Sequence, residues 1–283
     1  MTTSSPTFDS PIISAAQLND LLDNPNLVIV DASMAKAAQA TEFIPGARYF
    51  DIDRDFSDLT NRFPHGLQTP EEFQRKARQL GLNDDSIIVV YESKGVFASP
   101  RAWWLLRSMG HAETYVLDGG LRAWKAAGFD TADHREVPEA EGNFTADFNP
   151  RWFVLPIAEV KRVLQSKEKP VLDARSAGRF LGTSPEPREG VRSGHMPGAK
   201  NLPFTEVLTD SGLFKSKEEL QKIFGEVAGK SKSIITSCGS GVTAAIIGLG
   251  AHLAGFEEVA IYDGSWTEWE GTDGYDVETG SPA

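Results

Sequence analysis

Cys238 is the only cysteine in a chain of 283 residues. It stands in the run SCGSGVTAA, residues 237–245, after the apolar stretch SIIT and before the apolar stretch IIGLGAHLAGF. A free thiol titrates near 8.5, and only its thiolate is a strong nucleophile. A helix start would offer that thiolate the positive pole of the dipole and unpaired N–H groups. Gly239 and Gly241 permit unusual backbone angles, so the amides from Gly239 and Gly241 through Val242 and Thr243 can turn inward as an anion-binding nest, with the Ser240 and Thr243 hydroxyls as further donors. The loop thus fits a nucleophile that carries or attacks an anionic group. Read alone it fits equally well a small buried hydrophobe beside ordinary turn glycines.

Two competing thiol chemistries can be tested against neighbouring residues. Cysteine-dependent phosphatases need an arginine six positions beyond the cysteine to clamp phosphate, and here that position is Ala244. Nothing resembles the local signatures of Cys–His proteases. A second charged segment, GRFLGTSPEPREGVRSGHMPG, residues 178–198, supplies Arg179, Arg188 and Arg192. Guanidinium groups pair bidentately with carboxylates, so these could hold an anionic substrate. The alternative is weak surface ion pairing. No His, Cys or carboxylate cluster has metal-ligand spacing, and no dinucleotide or P-loop fingerprint is present.

The elements that must position these residues occur twice. LVIVDAS returns as PVLDARS, FIPGARYFDI as HMPGAKNLPF, TPEEFQRKARQLGL as SKEELQKIFGEVAG, SIIVVYESKGV as SIITSCGSGVT, and YVLDGGLRAW as IYDGSWTEW, all in the same order. Such self-similarity predicts two homologous domains, residues 9–135 and 151–283, joined by an acidic linker over residues 136–150 that ends in an Asn-Pro turn signal. Each half alternates β-branched runs with amphipathic stretches, which predicts an α/β fold with a mainly parallel sheet flanked by helices. Residues 238–243 then form a strand-to-helix loop at the carboxyl end of the second sheet, where open α/β sheets bind ligands. The first-half counterpart of Cys238 is Glu92, so the halves share a scaffold and differ in chemistry. That divergence within a loop of equal length favours the nucleophile reading.

Composition narrows the function classes. Hydrophobic residues make up 40% and charged residues 24%, as in a globular chain, and the formal net charge is -12. That charge argues against nucleic acid and against anionic lipid surfaces. The start, MTTSSPTFDSP, lacks the features of a signal peptide, and no apolar run approaches the roughly 20 residues that cross a bilayer. A single cysteine forms no internal disulfide, so a cytoplasmic protein is expected.

CGSGVTA, HMPGA and YDGSWTEW in the second half, with ASPRAWWLLR and LDGGLRAW in the first, are similar to the tandem-domain rhodanese-type sulfurtransferases. The neutral Cys-Gly-Ser-Gly loop resembles the 3-mercaptopyruvate sulfurtransferase branch rather than the thiosulfate branch, which carries a cationic Cys-Arg-Lys-Gly. The resemblance implies two rhodanese-like domains, only the second of them catalytic. It implies that Cys238 takes sulfur from a small-molecule donor as a persulfide and passes it to a small thiol, a thioredoxin-like protein or cyanide. Arg179 and Arg188 would hold the donor carboxylate beside the Gly239–Gly241–Val242–Thr243 backbone, and Ser240, His65 and Asp53 would form a relay. His65 is followed by Gly-Leu-Gln where the family reads Met-Leu-Pro. No cofactor, metal, nucleic acid or membrane is expected, and the protein is expected to be a monomer. A thiosulfate:cyanide sulfurtransferase and a rhodanese-like sulfur-relay or binding module remain as alternatives. Arg192, His195 and Arg101 are expected to be structural, Trp103, Trp104 and Trp124 to fill the core, and Trp266 and Trp269 to lie near Cys238.

Overall fold

The computed structural model describes residues 7–281. The chain forms two compact units. The first takes the chain through Ser57, Gln68–Asn149 and Ser211–Leu213; the second takes Asp58–Leu67, Pro150–Asp210 and the chain from Phe214 onward.

In the first unit, β1 (Ile12–Ile13), β2 (Leu27–Asp31), β3 (Arg48–Tyr49), β4 (Ile87–Tyr91) and β5 (Thr114–Leu117) form one sheet in the order β1-β5-β4-β2-β3. Every pairing is parallel. Parallel strands need crossovers: those from β1 to β2, β3 to β4 and β4 to β5 carry helices α1 (Ala15–Asn19), α2 (Pro70–Gln79) and α3 (Ser99–Ser108), and α4 (Gly120–Ala126) follows β5. The β-branched runs VIV and IVV suit strands buried on both faces, and β4 is buried from Ile88 to Tyr91. Trp104 and Trp124 are fully buried, as expected of core residues, and Trp103 donates its indole N–H to the Thr114 carbonyl at 2.8 Å.

The second unit repeats this plan. Strands β6 (Phe153–Val154), β7 (Val171–Asp173), β8 (Lys200–Asn201), β9 (Ser233–Ser237) and β10 (Glu258–Tyr262) form a parallel sheet in the order β6-β10-β9-β7-β8. Helices α5 (Ile157–Ser166), α6 (Ala177–Leu181), α7 (Lys217–Ala228), α8 (Val242–Ala254) and α9 (Ser265–Glu270) complete it. The paired helices start at matching side-chain caps: Thr69 accepts from the Glu72 N–H at α2, and Ser216 forms a capping box with Glu219 at α7. The repetition reaches individual hydrogen bonds. Ala32 N–H donates to Tyr91 O at 2.8 Å as Ala174 N–H does to Ser237 O at 2.8 Å, and Leu121 N–H reaches Glu92 O as Trp266 N–H reaches Cys238 O, both at 2.9 Å. Glu92 and Cys238 are therefore topological equivalents.

The acidic stretch after Asp130 has no periodicity, yet its backbone is bound along its length to the first unit. Glu136 N–H donates to Ala47 O, Gly142 to Arg78 O, Phe144 to Leu82 O and Asn149 to Ser108 O, at 2.7–3.1 Å. Phe144 is buried, which anchors the stretch. Among the described residues no helix is long and apolar enough to cross a membrane.

Candidate active site

The loop that follows β9 is shaped by its neighbour, the turn into α9. Ser265, held at φ 50°, accepts the Cys238 N–H at 3.2 Å and donates its own hydroxyl to Tyr262 O at 2.8 Å. The first turn of α9 takes the loop carbonyls: Trp266 N–H donates to Cys238 O at 2.9 Å, and Thr267 donates to Gly239 O through its N–H at 3.1 Å and its hydroxyl at 2.7 Å. In a trans peptide the N–H points opposite to the carbonyl. The Gly239 and Ser240 amides are thereby turned away from α9. Gly241 adopts the left-handed region, φ 80°, as the residue preceding α8, a conformation glycine takes without steric cost. The first-turn amides of α8 lack partners within the helix and form the positive end of its dipole. Cys238, 2% exposed, lies at the base of this loop.

A second group converges on Ser240. Its Oγ lies 2.9 Å from His65 Nδ1 and accepts from Arg188 Nη2 at 3.3 Å. With Arg188 donating, the serine hydroxyl proton is free to point at Nδ1, which suits the imidazole tautomer protonated on Nε2. His65 arrives on the segment Asp58–Leu67, which belongs to this unit. Leu67 N–H donates to Asp263 Oδ2 at 2.8 Å, Arg62 donates to Thr272 Oγ1 at 2.7 Å, and Asp58 N–H closes the segment on Gly66 O at 2.8 Å. His65 itself sits at φ 60°, an uncommon conformation for a residue with a Cβ. Nearby, burial and then the Glu268 carboxylate push Tyr262 well above the ordinary phenol range, so it stays protonated and donates to Glu268 Oε2 at 2.8 Å.

The arginines come from the segment around α6. A Cβ placed on Gly239 would stand 3.1 Å from Arg179 Nη2 and 3.8 Å from Arg188 Nη1, so both guanidinium groups lie over that residue. Arg179 is gripped by Glu186, Nε to Oε1 at 3.1 Å and Nη2 to Oε2 at 2.5 Å. Glu186 Oε1 also receives Arg175 Nη1 at 2.8 Å, and Arg175 in turn pairs with Asp173 at 2.6 Å and lies over the Trp266 ring at 4.4 Å.

Of the residues expected from sequence, the second unit gathers Cys238, Gly239, Ser240, Gly241, Val242, Thr243, His65, Arg179 and Arg188. Asp53 belongs to the first unit, where its N–H donates to Asp51 Oδ1 at 2.9 Å. Arg192 pairs with Glu270 at 3.2 Å, and His195, fully buried, stacks on Phe180 with ring centroids 4.0 Å apart. Arg101 is buried on α3. Sequence reasoning passed over Glu186, Ser265 and Thr267. A carboxylate standing between arginines in PEPRE was the available signal for Glu186. A cavity of about 410 Å³ at the opposite end of β9, lined by Trp152, Val163, Ile235 and His252 among others, holds none of these groups. Among the described residues no cluster of His, Cys, Asp and Glu could hold a metal ion.

Comparison with known proteins gives a consistent pattern. The model of the rhodanese-like domain matches twice, at residues 14–127 and 157–272. The 3-mercaptopyruvate sulfurtransferase of Homo sapiens is 39% identical over 280 residues, covering 94% of this chain and 93% of the relative. That of Escherichia coli K12 is 40% identical over 267 residues, covering 91% and 94%. The crystal structure of the Escherichia coli 3-mercaptopyruvate sulfotransferase SseA aligns with a TM-score of 0.81 at 36% identity, over 91% of this chain and 99% of that one.

Proposed function

The chain belongs to the rhodanese family of sulfurtransferases, with two copies of the domain, and on that premise we propose that it moves the sulfur of 3-mercaptopyruvate through a persulfide on Cys238 to an acceptor thiol, a thioredoxin-like dithiol or cyanide. The observation that carries the donor assignment is the separation of charge from nucleophile. The Cys238–Gly241 loop contains no cation, while Arg179 and Arg188 stand over Gly239. Thiosulfate concentrates two charges next to the sulfur under attack. 3-Mercaptopyruvate carries its carboxylate several bonds away, where guanidinium groups outside the loop can reach it.

In the proposed reaction the Cys238 thiolate attacks the donor sulfur. The carbon–sulfur bond breaks with its electron pair passing to carbon, leaving pyruvate enolate and a Cys238 persulfide. As the enolate forms, the Ser240 hydroxyl turns its proton from His65 Nδ1 to the oxygen on which charge develops, while Arg188 keeps donating to its Oγ. Protonation of the enolate carbon gives pyruvate. An acceptor thiolate then attacks the outer sulfur of the persulfide and releases the Cys238 thiolate for the next cycle. In this reading Gly239, Gly241, Val242 and Thr243 present backbone amides to the bound sulfur.

The test is kcat/KM for 3-mercaptopyruvate and for thiosulfate, with cyanide as acceptor, in the wild type and in Cys238→Ser. Preference for 3-mercaptopyruvate that disappears in the variant supports the reading. Equal or better use of thiosulfate overturns it.

A further inference from the structure

The two arginines over Gly239 are not equivalent in charge. Arg179 ends a buried chain that runs Asp173, Arg175, Glu186, Arg179. Arg175 and Asp173 have fully buried side chains and the side chain of Glu186 is 3% exposed. Arg175 spends its donors on both Asp173 oxygens, on Gly194 O at 2.7 Å and on Glu186 Oε1. Arg179 then closes on both oxygens of the same glutamate. Two carboxylates and two guanidinium groups cancel. Arg188 differs: its Nη2 donates to the neutral Ser240 hydroxyl, and among the described residues no carboxylate pairs with it. Of two guanidinium groups beside the substrate position, one offers directed N–H donors with its charge balanced and the other offers a full unbalanced charge.

From this accounting we infer that Glu186 is a specificity-determining residue, acting through Arg179: it holds the arginine set over Gly239 at one net positive charge, which matches a donor bearing a single carboxylate and falls short for a compact dianion. The inference rests on the donor reading above. Arg175 does not need Glu186 for neutrality, because Asp173 already supplies it. The bidentate grip on Arg179 is the contact left to explain. It holds the guanidinium against Gly239 and removes its net charge in one step. An added positive charge attracts a dianion about twice as strongly as a monoanion at the same distance, and one further charge pair at contact distance changes affinity about fivefold even in a water-like dielectric.

The experiment measures the ratio of kcat/KM for thiosulfate to that for 3-mercaptopyruvate in the wild type, Glu186→Gln, Arg179→Gln and the double variant, with thermal melting of each. Glu186→Gln leaves Arg179 charged and unbalanced, so the ratio is expected to move toward thiosulfate by about fivefold or more, mostly through KM. Arg179→Gln leaves Glu186 unbalanced and should move the ratio the other way. The double variant restores one net charge and is expected to return close to the wild-type ratio, a coupling that a cycle of this kind isolates. Glu186→Asp keeps the charge and should keep the ratio even where turnover falls. An unchanged ratio in Glu186→Gln, or a double variant that behaves like Arg179→Gln alone, overturns the inference, since contact rather than charge would then set the preference. If the buried Glu186→Gln fails to fold, Arg179→Gln decides alone: its side chain is 24% exposed, and an unshifted ratio overturns the inference. Shifts are read relative to the wild type. A wild type that prefers thiosulfate would overturn the donor reading without deciding the role of Glu186.

Discussion

His65 Nδ1 and Ser240 Oγ stand 2.9 Å apart although 175 residues separate them in the chain. The pairing depends on a short segment that leaves the first half of the sequence and folds into the second unit, tied there by Leu67 to Asp263. It completes around Ser240 a set of polar groups that the Cys238 loop alone lacks.

Removing that hydroxyl should therefore be felt in turnover. Ser240→Ala is expected to lower kcat with 3-mercaptopyruvate by about 10²-fold with little change in KM, the usual cost of losing one donor to a developing oxyanion. His65→Gln should lose a comparable amount. Steady-state kinetics with either acceptor checks both, and an unchanged kcat in Ser240→Ala would remove the serine from the chemistry.

Gly239 is the point where the arginines meet the loop. A methyl at this position would stand 3.1 Å from Arg179 Nη2, so the guanidinium must retreat by a few tenths of an ångström. Gly239→Ala is expected to raise KM for 3-mercaptopyruvate about threefold, with stability within about 1 kcal/mol of wild type. A larger effect on kcat than on KM would mean that the loop backbone, rather than Arg179, had moved.

The buried pair beneath the site has a structural cost of its own. Arg175→Met would leave Asp173 charged, buried and without its principal partner. Loss of about 3–5 kcal/mol of unfolding free energy is expected, read by urea titration. A loss below about 1 kcal/mol would show that Asp173 is reprotonated or hydrated at little cost.

In the first unit, stability should depend on pH through His111. Burial pushes its pKa down to about 4, while its ring nitrogens pair with Thr114 Oγ1 and Asn83 O and its face stacks on Phe144. In the unfolded chain it titrates near 6.5. Between about pH 6.5 and 4 the unfolded state binds the extra proton, so stability falls as pH falls through that window, by up to about 3 kcal/mol. Glu92, whose carboxyl is raised by burial, works in the opposite sense. Comparing the wild type with His111→Asn isolates the histidine. The variant should show a shallower acid decline, and identical slopes would contradict the assignment.

The duplicated α/β plan and the thiol loop were legible because they rest on rare or periodic signals: a lone cysteine among glycines, β-branched runs, capped amphipathic helices and motifs that recur in order. The Arg179 and Arg188 segment was legible as chemistry, but its wiring was not. Glutamates and hydroxyls occur throughout any sequence. Glu186 gains meaning only where α6 and the following loop fold back over Gly239, and Ser265 and Thr267 only because α9 starts against the Cys238 carbonyl. The stretch after Asp130 is held by backbone hydrogen bonds, which any side-chain pattern permits, so its acidic composition gave no sign that it lies along the first unit.

The most direct test of the account is a single turnover without acceptor. The protein is mixed with one equivalent of 3-mercaptopyruvate, released pyruvate is quantified, and the peptide bearing Cys238 is weighed by mass spectrometry. The account predicts one equivalent of pyruvate, one added sulfur atom on Cys238, and neither in Cys238→Ser. Pyruvate released with no sulfur left on Cys238, or released equally by Cys238→Ser, would contradict it.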